Sequence, residues 1–258
     1  MIALRFLFLQ VERKRMNSEE IIEELKKMSS EKYKANVVKL GIPEKSSIGV
    51  STGDIRKLAK SLPKSNDLAF SLWQTGYHEA KLLAVLIFDK KSIGLEAAAS
   101  LMKEVYSWDL CDHLCKNLLL KIAGYQDLIY DWCREEEIYY KRAAFTLIAS
   151  AAIHEKDLSD EVIEEYLQLI RENSCDGREH VKKAVAWALK EIGKRDFGCQ
   201  EKALLLAFEL KQSSDKAQIW VARDALKEIE NLVQVEGRTR LISADSKMGK
   251  ESKENGEM

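Results

Sequence analysis

Four stretches of this chain share one pattern. They are HEAKLLAVLI from His78, YYKRAAFTLI from Tyr139, HVKKAVAWAL from His180 and IWVARDALKE from Ile219. Each places a cation near its start and then small and apolar residues at intervals of three and four, the spacing of one helix face. Lys81, Arg142 and Lys183 occupy nearly the same register in the first three. The stretches recur roughly every 30 to 60 residues, the length of one or two helix pairs.

A helix pair that repeats at this period cannot bury its apolar face alone, so successive pairs stack. The chain is therefore expected to be all-α, an α-solenoid of antiparallel helix pairs of the HEAT-like or ARM-like kind, with about twelve helices and essentially no sheet. Runs such as IIEELKKM, DIRKLAKSL, EEYLQLI and EKALLLAFEL have the same period, and no strand alternation competes with them. Only two prolines, Pro43 and Pro63, interrupt the chain. The longest break, GIPEKSSIGVSTGD, predicts a helix starting after Thr52. A clean helix start follows Met16, with Ser18 as its N-cap. Residues 1–15 contain a short apolar run broken by Arg5, too short for a membrane span and without a cleavage site. They read as an added N-terminal extension or as a start assigned too early. Residues 16–236 read as a single helical domain. From about Gly237 the apolar period is lost, and 237–258 reads as a disordered tail.

Charge is balanced, with 41 basic against 42 acidic residues. Balance argues against a coat for polyanions but allows a local basic face. Stacked repeats put equivalent residues on one surface, so Lys81, Arg142 and Lys183 are expected to form a ladder along a concave basic face. A cation near a helix start also commonly snorkels from a packed surface. Five cysteines at irregular spacing, with no CxxC pair, suit free thiols in a reducing compartment, and a cytoplasmic location is expected.

The densest chemistry lies in YSWDLCDHLC, residues 106–115. Cys111 and Cys115 are four apart, with Asp112 and His113 between them, but no second pair at zinc-site spacing accompanies them. No metal site is expected. Trp108 and Asp112 are also four apart, so a helix would stack them on one face. Asp109 suits a helix N-terminus. His78 and Glu79 read as contacts of the capping type at a helix start, and His154 and His180 as surface residues. Trp187, in AVAWALKEI, reads from pattern alone as a core residue.

In combination, four stretches make the chain resemble the AlkD-type DNA alkylation repair proteins, HEAT-like alkylpurine DNA glycosylases. They are GVSTGDIRKLAKSL (49–62), WQTGYHEAKLLAVLIFD (73–89), SWDLCDHL (107–114) and HVKKAVAWALKEIGKRD (180–196), and the resemblance runs from about residue 18 to 230. It implies that Trp108 and Trp187 line a lesion site, that Asp112 is the catalytic carboxylate, and that Arg142 grips the DNA backbone. Tyr33 matches an N-terminal aromatic of the site, with a slip of one residue. Lys81, Lys183, Lys141 and Lys182 join Arg142 as expected DNA contacts. Ser107 departs from the pattern, standing where some members carry a second aromatic, and the charge is less basic than such an enzyme suggests.

The implied reaction is hydrolysis of the N-glycosidic bond of an N3- or N7-alkylated purine in duplex DNA. The cationic base is a good leaving group, and a carboxylate stabilises the oxocarbenium-like sugar that forms. Aromatic faces attract the cationic base. The resemblance implies no cofactor, a monomer, alkylated duplex DNA as partner and no membrane. The alternative is a HEAT-like module that binds nucleic acid or protein without catalysis.

Overall fold

In the computed structural model, which describes residues 16–254, a polar cap precedes most long helices. Helix α1 (Ser18–Lys27) begins at Asn17, whose side chain accepts from the Glu20 amide at 2.9 Å while the Glu20 carboxylate accepts from the Asn17 amide at 3.1 Å. The cap is thus Asn17 rather than the expected Ser18, because the reciprocal bond requires Glu three residues on. Residues 1–15 lie outside the described residues. Ser30 caps α2 (Glu31–Lys39), Ser51 caps α3 (Thr52–Ser61) and Ser65 caps α4 (Asn66–Gln74). Then come α5 (His78–Ile87), α6 (Leu95–Ser100) and α7 (Trp108–Asn117), with short 3-10 turns after α6 and α7.

Contacts cluster into two units that divide between Ile122 and Ala123, where the sequence suggests one domain. In the first unit α5 is the central element and packs against α3, α4 and α7. Nearly every residue of α5 is buried, polar ones included. A helix surrounded in this way needs apolar residues all round and small ones where neighbours approach. Ala80, Ala84, Leu83, Val85 and Ile87 meet that need, each fully buried.

The second unit holds α8 (Tyr125–Trp132), α9 (Ile138–His154), α10 (Asp160–Asn173), α11 (Glu179–Gly193), α12 (Phe197–Lys211) and α13 (Lys216–Ile229). Helix α9 packs along α8 and α11, and α11 packs along α10, α12 and α13. The buried alanines Ala143, Ala144, Ala149, Ala184, Ala186 and Ala188 let the backbones approach closely. Three of the four repeated stretches lie on α9, α11 and α13, and the fourth forms α5. Fourteen α-helices lie within the described residues, two more than expected.

The expected disordered tail is a second difference. Leu232–Val233 and Ile242–Ser243 pair as a short antiparallel ribbon, β1 and β2, and α14 (Lys247–Glu254) follows. Backbone bonds and a few anchors order this stretch without apolar periodicity. The Leu241 amide donates to the Lys194 carbonyl at 3.0 Å, and Leu241 and Ala244 are buried. Gly249 on α14 lies so close to Ser243 and Ala244 that a Cβ would collide with them.

Candidate functional site

Helix α7 turns Leu110, Cys111, His113, Leu114 and Cys115 inward and leaves Trp108, Asp109 and Asp112 less enclosed. Trp108 and Asp112 therefore share the outer side of the helix, one turn apart. The Asp112 side chain is 13% exposed, with the Lys116 ammonium 3.9 Å away on the next turn. It is enclosed enough for its charge to act through a reduced dielectric, yet open to a substrate. His113 points away, with Nε2 3.0 Å from the Leu82 carbonyl oxygen. Burial, reinforced by the Arg56 guanidinium, pushes the His113 pKa down to about 4. Cys111 and Cys115 are buried behind the Trp108–Asp112 face and form no disulfide. Among the described residues no three His, Cys, Asp or Glu side chains converge as a metal-ligand set.

A polar trio sets the first turn of α7. His78 Nε2 is 2.8 Å from Asp109 Oδ2, and His78 Nδ1 is 3.2 Å from the Tyr106 hydroxyl. Burial works against ionisation of Asp109, but hydrogen bonding and charge from His78 outweigh it and hold the carboxyl below its ordinary range. His78 Nε2 therefore donates to a carboxylate. Burial, with the charges of Asp109 and Glu79, pushes the Tyr106 phenol up to about 12.

Glu79 has a different task. It accepts from the amides of Ile48 at 2.9 Å, Gly49 at 2.6 Å and Val50 at 3.3 Å, and from the Ser47 hydroxyl at 3.4 Å. The carboxylate organises the loop before α3 and does not cap its own helix, so the capping-type reading of His78 and Glu79 is corrected for both residues.

Lys81 is not an exposed rung of a ladder. It is 4% exposed, its ammonium lies 2.9 Å from the Glu104 carboxylate, and it sits over the rings of Trp73 and Tyr106. Arg142 is also buried, and its Nη1 donates to the His180 carbonyl at 2.8 Å, joining α9 to α11. Lys141 pairs with Asp176 at 3.6 Å, and Lys182 pairs with Glu179 and lies 4.8 Å from the Trp220 ring centroid. Lys183 is the most open of the set, with a side chain 56% exposed that also reaches Glu179. Trp187 is half-buried on α11, and its indole N–H donates to Glu191 at 3.3 Å. Tyr33 is half-buried in the first turns of α2.

One basic cluster went unread in the sequence. Arg56, Lys60, Lys64 and Lys90 line a cavity of about 590 Å³ in the first unit that has no acidic lining residue. Among the described residues Arg56, Lys60 and Lys90 have no ion-pair partner, whereas most other cations near the sites above are paired. Burial, with repulsion from Lys64 and Lys121, lowers the Lys90 pKa. The four-residue spacing of Arg56, Lys60 and Lys64 was the available signal.

The family model of the DNA alkylation repair enzymes matches residues 21–229. The chain belongs to that family. The match spans α2 to α13 and most of α1, so it takes in helices of both units. No curated protein matches the chain. A solved structure, described as a new family of proteins related to the HEAT-like repeat DNA glycosylases with affinity for branched DNA structures, matches with a TM-score of 0.69. It shares 19% sequence identity, over 93% of this chain and 95% of that one. The fold of this family member is thus the all-α, HEAT-like one. No helix among its described residues is long and apolar enough to cross a membrane.

Proposed function

We propose that this member of the DNA alkylation repair family is a DNA glycosylase that releases N3- or N7-alkylated, cationic purines from duplex DNA. The observation that carries the reading is the pairing of Trp108 with an enclosed Asp112 one turn along α7. The carboxylate faces the deoxyribose and stabilises the positive charge that develops as the C–N bond breaks. It also orients the water that attacks the sugar. Trp108 and Tyr33 in the first unit, and Trp187 in the second, each offer an aromatic face that attracts a cationic base or sugar. Lys183 and Lys182, on α11 in the second unit, meet the phosphate backbone, while Arg142 joins α9 to α11 through the His180 carbonyl and Lys141 pairs with Asp176. Arg56, Lys60 and Lys90 meet the phosphate backbone from the first unit. Such contacts position the duplex without reading its sequence. Lys81 is not among them, because its ammonium is already engaged inside the protein.

The test is incubation with duplex DNA containing 7-methylguanine or 3-methyladenine, followed by measurement of released base. Asp112→Asn keeps the shape and removes the charge, so release should slow by about a hundredfold or more, with DNA affinity unchanged or slightly higher. Undiminished release by this variant would refute the role of Asp112.

The second reading is a module that binds DNA without catalysis. It is favoured by the solved structure of similar fold, whose protein is described by its affinity for branched DNA. Native protein that binds branched or linear duplex but releases no base from either alkylated substrate would establish it.

A further inference from the structure

We propose that Arg240, on the segment that follows α13, is a positioning residue that sets the orientation of the Trp187 indole through Glu191. The inference rests on the reading above in one respect, that Trp187 meets the alkylated base. Arg240 lies beyond residues 21–229, the span matched by the family model.

The contacts form a continuous chain. The Trp187 indole N–H donates to Glu191 Oε1 at 3.3 Å. The Glu191 side chain is only 11% exposed, so its charge needs compensation inside the protein. Arg240 Nη2 supplies it, donating to Glu191 Oε2 at 2.8 Å and to the Glu191 backbone carbonyl at 2.7 Å. One guanidinium nitrogen thus holds both the backbone and the carboxylate of the same residue, which fixes the rotamer of Glu191. The other carboxylate oxygen is left facing the indole. Lys194 approaches that oxygen at 3.4 Å but also pairs with Glu228 at 2.6 Å.

Arg240 is itself held in place. The next residue, Leu241, is buried and bonds to the Lys194 carbonyl, and β2 follows immediately. Without the guanidinium, Glu191 Oε2 loses its cation and the tie that holds the carboxylate to its own backbone carbonyl, so the side chain leaves this rotamer. The indole then loses the Glu191 acceptor that sets its orientation. An aromatic face attracts a cationic base only when the two are aligned, so the loss falls on turnover more than on DNA affinity.

The experiment uses the full-length protein. The near-UV circular dichroism of the native protein minus that of Trp187→Phe gives the Trp187 signal, and the same difference is taken in an Arg240→Met background. The Trp187 band should fall by at least half in that background. Release of 7-methylguanine at saturating DNA should fall about tenfold, in line with the effect of small misplacements remote from the chemistry, while Kd stays within twofold. Glu191→Ala, which removes the acceptor directly, should give the same loss of band if Arg240→Met does not fold. A Trp187 band unchanged in the folded variants overturns the relay. If the native protein releases no base, the glycosylase reading fails, and the band alone decides whether Arg240 positions Trp187.

Discussion

His78 Nε2 lies 2.8 Å from Asp109 Oδ2, and this pair ties the first turn of α5 to the first turn of α7, the helix that carries Trp108 and Asp112. Asp109→Asn should cost about 1.5–3 kcal/mol, the range for a hydrogen bond to a charged group. The sign of its pH dependence follows from the carboxyl's position below its ordinary value of 3.8. The contribution is complete above that value and is lost as pH falls through the lower folded-state value. Urea unfolding of the native protein and the variant should therefore show a stability gap that is steady at pH 5 and above and narrows below pH 4. A gap independent of pH would show that the pair contributes only packing.

His113 gives a pH dependence at higher pH. Its pKa is about 4 in the folded protein against an ordinary 6.5. The unfolded chain therefore takes up a proton before the folded one does, and stability that is complete above about pH 7 declines as pH falls through 6.5 toward 4. A tenfold difference in proton affinity between the two states is worth about 1.4 kcal/mol, so roughly 2 kcal/mol should be lost between pH 7 and pH 5. His113→Gln should flatten the dependence in that interval, measured by urea unfolding at both pH values. An equally steep decline in the variant would assign the loss to other groups.

Much of this protein is readable from local pattern. Apolar residues at three and four placed α5, α9, α11 and α13, and the four-residue step from Trp108 to Asp112 placed both on one side of α7. The environment of a shared register position was not readable. Lys81, Arg142 and Lys183 are equivalent in sequence, yet Lys81 is buried against Glu104, Trp73 and Tyr106, Arg142 holds a backbone carbonyl, and Lys183 is open. The partners of Lys81 lie 8 to 25 residues away in sequence, and helical period carries no information at that range. The order of residues 237–254 was hidden for the same reason, since it depends on backbone pairing and on Arg240 rather than on an apolar stripe.

Glu79 and Gly49 should be among the most sensitive positions for folding. Glu79 receives three consecutive amides and a hydroxyl in a buried setting, and Glu79→Ala leaves those donors unsatisfied. The expected cost is about 3 kcal/mol or more. Gly49 has φ +95°, and a Cβ there would lie 2.8 Å from both the Ser30 carbonyl oxygen and Lys34 Cβ. Gly49→Ala is thus strained by conformation and by contact. Thermal melts should show both variants well below the native protein. A variant that melts within about 2 °C of native would mean that the loop relaxes at little cost.

The unpaired cations around the 590 Å³ cavity lead to a prediction that separates them from Lys81. A lysine that meets a phosphate releases counterions on binding, so its removal lowers affinity for every sequence and reduces the slope of log K against log salt by about one. The double variant Lys60→Gln, Lys90→Gln should therefore bind duplex DNA more weakly and show a slope smaller by about two, measured by fluorescence anisotropy between about 50 and 200 mM salt, a range in which such contacts dominate. Its rate of base release at saturating DNA should match that of the native protein, since neither residue lies on α7 beside Trp108 and Asp112. The variant should fold at least as well as the native protein, because it removes a cation that is disfavoured by burial and by repulsion from Lys64 and Lys121, which together lower the Lys90 pKa. Lys81→Met should behave in the opposite way. It breaks the ion pair with Glu104 and the contact with Trp73, so it should lower the melting temperature and leave the salt slope unchanged. A changed slope in Lys81→Met with an unchanged slope in the double variant would move the phosphate contact back to the repeat register and away from the cavity.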